Sequence, residues 1–367
     1  MGQNNDNQLQ GISIYEGIEG LEAIRESWDR LFAGLDNPTY FIDWRWMYAL
    51  QRWLIEEPLY FVVLYKHGEV ALILPLQLKH SNGFNIRNQI ISLPAHKHSA
   101  HSDVLLNSEL ISKNDIRRAI DYFTQKKGIQ WSHLLIDKIS SRSDFLKIIQ
   151  KSDAHFSIKT ESAYFDWPSG RFDEKLSKKF IKNIRRLGKR AEKEKGALEV
   201  TFANSTDVLN QASETFFDIE GSGWKGEEGT CTAIKYHPEL ISFYKELLVQ
   251  FSTDRSIQIN ILNINGQPAA GQLCIKLRST WYILKVAYQE SLKGYGVGNL
   301  LMLKFLEQTS TDNSTEEVNL VTAPEWADRW HLSKRPVYFV QYYNSGARGQ
   351  LAKALVHTKK KVRGLLK

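Results

Sequence analysis

The stretch WYILKVAYQESLKGYGVGNLLMLKFLEQ, residues 281–308, carries the densest chemical pattern in the chain. Trp281 to Tyr288 reads as a strand. Gly294, Gly296 and Gly298 make a flexible turn, and Asn299 onward reads as a helix with a leucine face. A strand, a glycine turn and a helix N-terminus together form an anion site, because backbone N–H groups point outward there and glycine admits close approach. The candidate contacts are Lys293, Gly294, Tyr295, Gly296, Val297, Gly298 and Asn299. The Gly-x-Gly-x-Gly spacing differs from the dinucleotide fingerprint, and no Walker lysine follows. The same pattern also suits a loop that binds nothing.

Three further groups carry candidate chemistry. Glu220 closes the helical run VLNQASETFFDIE and precedes a Gly/Ser turn, Trp224 and Lys225. A carboxylate there can take a proton from an attacking amine or hydroxyl, directly or through water, if burial raises its pKa. Trp224 would wall an acceptor pocket and Lys225 would hold an anionic acceptor group; the plain alternatives are a surface acid, a core indole and a solvated lysine. Lys285 lies in the strand YILKVAY among apolar neighbours, so it needs a partner or a ligand. Simple alternation puts Tyr282 on the face opposite Lys285, with Val286 and Tyr288. In AHKHSAHSD (95–103), His101 and Asp103 are assigned to the mouth of a cleft between the two halves, touching acceptor; loop packing is the alternative. The segment lacks a fixed metal-ligand set, and no metal is expected.

These groups need a scaffold. A chain of 367 residues with 42% apolar and 11% aromatic content suits two α/β domains of roughly 150–200 residues each. Hairpins are expected at 59–78, with Lys66-His67-Gly68-Glu69 at the turn, and at 257–277, with Asn265-Gly266 at the turn. Each is preceded by helices and followed by strand, helix and strand, so the chain reads as a duplicated α/β unit. The expected domains are 1–160, 161–345 and a basic tail over 346–367, with DWPSG (166–170) as connector. Two cysteines give no disulfide framework and suit a reducing compartment. No apolar run reaches the roughly 18 residues that span a bilayer, and the polar start carries no signal peptide. A cytoplasmic protein is expected, with peripheral contact to anionic membrane through the tail.

The charge is uneven. Residues 331–367 hold nine basic and no acidic side chains, against a net charge of +7, so the body is near neutral. LSKKFIKNIRRLGKRAEKEKG (176–196) holds nine Lys or Arg and two acids. Leu176, Phe180, Ile184 and Leu187 share one helical face and the cations lie mostly on the other. No interleaved aromatics or recognition motif accompany it, so a nucleic-acid partner is not expected. Cofactor phosphates, an acidic acceptor or plain solvent would each suit that face.

The strand, the GYGVG turn and the helix after a hairpin resemble the pyrophosphate-binding segment of the GNAT acyltransferase fold. LSKKFIKNIRR, FFDIEGSGWKGEEGT, YILKVAYQE, YGVGNLLM and NLVTAPEW resemble the CelD-type, cellulose-biosynthesis-associated group of that superfamily, over about 160–335. The resemblance implies tandem GNAT-like domains with mixed sheets flanked by helices, akin to Fem-type transferases. It implies acetyl-CoA or another acyl-CoA as cosubstrate and a saccharide or other small-molecule acceptor of envelope metabolism. It also implies that Tyr288 protonates the departing thiolate and that Trp326 contacts acceptor. Ala323 and Ala327 stand where related chains often have an acid or lysine, and Gly296 and Val297 where they often have Ser and Pro. The rivals are a Fem-like transferase using aminoacyl-tRNA and a non-catalytic scaffold of polysaccharide assembly.

Overall fold

A computed structural model describes residues 11–80, 89–149, 154–166 and 176–354. In chain order the elements are β1 (Ile12–Glu16), α1 (Gly17–Ala23), α2 (Arg25–Gly34), α3 (Trp44–Trp53), β2 (Tyr60–Lys66), β3 (Glu69–His80), β4 (Gln89–Ser92), β5 (Leu105–Leu106), α4 (Lys113–Lys127), β6 (His133–Ser140), α5 (Asp144–Ile149) and β7 (Ala154–Asp166). There follow α6 (Lys178–Lys195), β8 (Leu198–Ala203), α7 (Thr206–Gly221), α8 (Pro238–Ser252), β9 (Ile257–Ile264), β10 (Gln267–Leu277), β11 (Thr280–Tyr288), α9 (Val297–Thr309), β12 (Glu317–Asn319) and β13 (Ser333–Tyr343). The chain divides into two compact units, Met1–Thr160 with Pro336–Lys367, and Glu161–Arg335.

Each unit repeats one strand order. In the first it is β1-β2-β3-β4-β6-β13, antiparallel throughout except for the parallel pair β4/β6. In the second it is β8-β9-β10-β11-β12-β7, antiparallel except for the parallel pair β11/β12. The terminal strands are exchanged: the first unit ends on the strand that follows the second unit, and the second on the strand that precedes it. Residues 336–343, expected with the second domain, therefore pair with β6 in the first. Both hairpins turn on two residues of positive φ, His67 and Gly68 (53° and 83°) and Asn265 and Gly266 (50° and 72°). Such turns match the right-handed twist of the strands they join. Most of the connector at 166–170 lies outside the described residues, as does the tail beyond Ala354; residues 347–354 are helical.

In the second unit, Ile181, Ile184, Gly188 and Ala191 form the buried face of α6, rotated from the expected one: of Leu176, Phe180, Ile184 and Leu187 only Ile184 lies on it, and Phe180 and Leu187 are half-buried at its margins. Gly188 lets α9 approach closely, since a Cβ there would lie 3.2 Å from the Leu300 methyls. Phe180 packs edge-on against the fully buried Trp330 at 5.0 Å, and Phe165 does the same at 5.5 Å. Burying such an aromatic is worth about 1.5–3 kcal/mol. On the other face of the sheet, α7 lays Phe216 flat on Gly271 of β10, where an added Cβ would meet the ring at 2.7 Å.

Candidate active site

The site begins where two parallel strands separate. β11 and β12 pair only at Thr280↔Glu317, Trp281↔Val318 and Tyr282↔Asn319. β11 continues six residues further, to Tyr288, while β12 stops. The departing chain is bent by Val321, held at φ 64°. Asn319 fixes that bend: its Oδ1 accepts from the Val321 N–H at 2.7 Å and from Ser162 Oγ at 2.8 Å. Its amide donates to Glu317 at 2.8 Å, and Glu317 in turn receives two 2.9 Å bonds from Arg335. The Arg335 guanidinium lies 3.8 Å over the Tyr164 ring. Burial works against that charge, but Glu317 and Tyr164 hold the Arg335 pKa above its ordinary value.

β11 carries a bulge. Leu273 and Cys274 are consecutive on β10 yet pair with Lys285 and Ile283, so Leu284 is an extra residue. The bulge exchanges the faces of the strand. Trp281 and Ile283 join the core beneath α9 and so does Tyr288, although its parity differs. Lys285 turns to the opposite side, its Nζ 6.0 Å from the Tyr244 ring centre on α8. The alternation expected from sequence, with Tyr282 opposite Lys285, fails for this reason. Val286 is 38% exposed, unusual for an interior strand, because β12 has parted from it.

Immediately after β11 the chain makes a 3-10 turn, Glu290–Tyr295, and enters α9 through Gly296 at φ 62°. No side chain caps α9 and no acid lies in its first turn, so its N–H groups face outward uncompensated. The neighbouring side chains serve the scaffold. Val297 is buried, Asn299 accepts from Trp330 Nε1 at 3.2 Å, and Tyr295 donates to Glu194 at 2.8 Å beneath the Arg190 guanidinium. Lys293 is exposed, 4.0 Å from Glu290. What the loop offers a ligand is backbone, at Val297, Gly298 and Asn299, since the Gly296 N–H donates to the Lys293 carbonyl at 3.1 Å. Gly298 lies against the Tyr288 ring, where an added Cβ would sit 3.5 Å from Cδ1.

Glu220 lies on the face of the sheet that Lys285 reaches. Its side chain is 2% exposed and fully engaged: Lys225 Nζ donates to Oε1 at 2.7 Å and the Ile234 N–H to Oε2 at 3.0 Å. With one bond on each oxygen, the carboxylate clamps the loop that carries Lys225 and Ile234. The clamped loop folds back closely on itself, since a Cβ at Gly226 or Gly229 would fall 2.2 Å from the Gly221 carbonyl oxygen or 1.9 Å from that of Trp224. Trp224 is 62% exposed on this loop, so it is no core residue and no buried wall. Gly223 borders Glu290 and the Tyr288 carbonyl, placing the loop beside the end of β11. Trp326, in the 3-10 turn Glu325–Trp330, is 38% exposed. Tyr244 escaped the sequence reading, since FYKELL looks like plain helix core. It is buried, and burial followed by the Glu220 charge pushes its pKa well above the ordinary value.

The first unit fills the equivalent place with its own chain. β4 pairs β6 at Ile91↔Leu134 and Ser92↔Leu135, then leaves β3, and β5 takes over that edge of β3 at Leu72 and Ile73. Between them, residues 93–104 run along β6: the Leu93 N–H donates to Leu135 O at 3.0 Å, and the Ser102 N–H and Oγ to Lys138 O at 2.7 and 2.9 Å. His101 and Asp103 are buried in this segment. His101 packs on Phe41, and Asp103 Oδ1 accepts from Ser143 Oγ at 2.6 Å and from the Val104 N–H at 2.9 Å. They fill the unit's interior rather than line an open mouth, which corrects the expectation for both. The helix start is closed too. Ser112 and Asp115 form a capping box on α4, and Lys66 lies 2.8 Å from Asp115.

Burial pushes the Asp103 pKa up to about 7, against an ordinary 3.8, with its two hydrogen bonds offsetting only part of the cost. The folded state thus keeps a proton that the unfolded chain releases above about pH 4. Stability should fall as pH rises from about 4 to about 7 and level off above that. Asp103→Asn should flatten this part of the profile and melt higher than the parent at pH 8. Thermal melts from pH 4 to 8 check it; parallel profiles would show that Asp103 ionises normally.

Residues 178–330, all within the second unit, match the family model of an acetyltransferase (GNAT) domain. Among solved structures the chain is similar to FemX, with a TM-score of 0.59 and 10% identity over 90% of this chain and 98% of that one. It is similar to a conserved protein of unknown function from Bacteroides thetaiotaomicron VPI-5482, with 0.55 and 12% over 87% and 97%. It is also similar to the C-terminal domain of a putative lysylphosphatidylglycerol synthetase from Agrobacterium fabrum, with 0.52 and 13% over 92% and 97%. At these identities the likeness concerns the fold alone, two units of mixed α/β structure. No curated protein matches the sequence. Among the described residues no helix is long and apolar enough to cross a membrane.

Proposed function

We propose that the chain is an acyltransferase of the CelD-type group, moving an acyl group, most simply acetyl, from coenzyme A to an amine or hydroxyl. The observation that carries this reading is the conjunction at the end of β11: a strand parted from its parallel neighbour, running directly into an uncapped helix start. The N–H groups of Val297, Gly298 and Asn299 would receive the pyrophosphate, that of Gly296 being spent on the Lys293 carbonyl. The open edge of β11 beyond Tyr282 would offer N–H groups to the thioester carbonyl, stabilising the oxyanion as the acceptor attacks. Tyr288, the last residue of β11, would protonate the departing thiolate. Glu220 acts by holding Lys225 and its loop against the acceptor, with water taking the acceptor's proton. Trp224, Lys225, Lys285 and Trp326 would bound the acceptor. A saccharide or related envelope metabolite rests on the CelD-type resemblance.

Among the described residues of the first unit, the segment 93–104 and the capped α4 occupy the place that the donor loop takes in the second. Acetyl-CoA titrated calorimetrically into the full chain should therefore bind at one molecule per chain. Two molecules per chain would defeat the assignment to the second unit. Folded protein that ignores acetyl- and longer acyl-CoA, yet binds aminoacyl-tRNA with steep salt dependence, would replace the donor altogether.

A further inference from the structure

The outer face of α6 carries its charges with the wrong polarity for a helix. A helix favours acids at its start and cations at its end. Here Lys178 and Lys179 occupy the first turn, with no acid there. From Lys178 to Arg190 there are seven Lys or Arg and no acid; in the last turn Glu192 and Glu194 are balanced by Lys193 and Lys195, so the uncompensated positive charge lies toward the start of the helix. Lys178, Lys182, Arg185 and Lys189 fall at i, i+4, i+7 and i+11, a single stripe, with Arg186 beside it. Like charges three and four apart repel. Among the described residues the acid paired to this stripe is Glu307, 3.0 Å from Arg185. The stripe lines an open groove of ≈ 580 Å³ together with Ile181, whose side chain gives it an apolar flank.

We infer that this groove is a binding site for a phosphate-bearing ligand, separate from the donor loop. The separation follows from the packing of α6. Leu187, which meets Gly296, lies on the side of α6 opposite the stripe, and Arg190 and Glu194, which hold Tyr295, follow it toward the C-terminus. A phosphate in the groove would relieve the repulsion and reverse the unfavourable polarity at once. Arg185 and Arg186 supply forked donors, the lysines supply point charges, and the N-terminal end of the helix adds its dipole. A groove of this size suits a small molecule or a headgroup. Its ligand is either a soluble phosphate ester or the headgroup of an anionic lipid, and both present the same chemistry to these side chains.

The test uses the full chain and a variant with Lys182→Gln, Arg186→Gln and Lys189→Gln, all on exposed positions. Inorganic pyrophosphate is titrated by calorimetry at low salt into protein whose donor loop is already saturated with acetyl-CoA, and flotation is measured with vesicles of phosphatidylglycerol and of phosphatidylcholine. The parent should bind pyrophosphate, and the variant about tenfold or more weakly, as expected for one or two lost charge-assisted contacts. The unliganded variant should melt no lower than the parent, since repulsion has been removed. Acetyl-CoA binding should be the same in both, which keeps this result independent of the donor site. Pyrophosphate binding without flotation identifies a soluble ligand; flotation with anionic vesicles that pyrophosphate displaces identifies a headgroup. Equal pyrophosphate binding by parent and variant, no binding by either, or binding of RNA alone would overturn the inference.

Discussion

Valine at position 296 should abolish acetyl-CoA binding, while alanine at 298 should weaken it in a protein that melts no lower than the parent. The two glycines of the loop do different work. Gly296 sits at φ 62°, and a Cβ there would also press on Leu187 Cδ1 at 3.2 Å. A β-branched residue costs about 1–2 kcal/mol in that conformation and would swing the first turn of α9 away from β11. Gly298 has ordinary helical backbone, and a Cβ there makes normal contact with Tyr288 at 3.5 Å. The scaffold tolerates alanine at 298, and replacing a helical glycine should stabilise by about 0.5–1 kcal/mol. Loss of affinity in Gly298→Ala therefore reports a ligand that needs the space, rather than a damaged loop. Calorimetry with acetyl-CoA beside thermal melts reads both effects. Unchanged affinity in Gly298→Ala together with full binding by Gly296→Val would move the donor away from this helix.

Features encoded by neighbouring residues were legible in the sequence. Strand 281–288, the glycine turn and α9 follow one another along the chain, so residue type and spacing sufficed. The two hairpins were legible for the same reason, since Asn265-Gly266 and His67-Gly68 carry their turn conformation locally. Features that depend on pairing across the fold were hidden. The bulge at Leu284 is set by its register with Leu273 and Cys274, and it alone decides that Lys285 faces Tyr244. The exchange of β7 and β13 leaves no local mark, so a linear reading placed the boundary at 345. His101 and Asp103 looked reactive because a polar segment normally implies solvent; their partners, Phe41 and Ser143, lie far away in sequence. Arg335 was counted with a basic tail. Its partner Glu317 stands 18 positions earlier, and nothing in HLSKRPVYF marks one cation as buried.

That hidden pair should be the most costly to break. Arg335→Ala would leave the Glu317 carboxylate, 11% exposed, without its counter-charge. Removing one partner of a buried ion pair costs about 3–5 kcal/mol, largely because the survivor stays desolvated. In a chain of this size that corresponds to a fall of roughly 4–7 °C in melting temperature. Glu317→Gln should cost less, since the amide oxygen can still accept from Asn319 and Arg335 retains the Tyr164 ring. The double variant Glu317→Gln with Arg335→Met should recover part of the Arg335→Ala loss, because no buried charge remains. The functional effect should follow the same order as the melts. Glu317 orients Asn319, and Asn319 holds the Val321 turn that parts the chain from β11. An unpaired Glu317 would drag Asn319 from the Val321 N–H, and the slot would lose its fixed width. Acetyl-CoA affinity, measured well below each variant's melting temperature, should be lowest in Arg335→Ala and intermediate in Glu317→Gln. Melts that fall without any change in affinity would confine the network to stability and release the slot from its control.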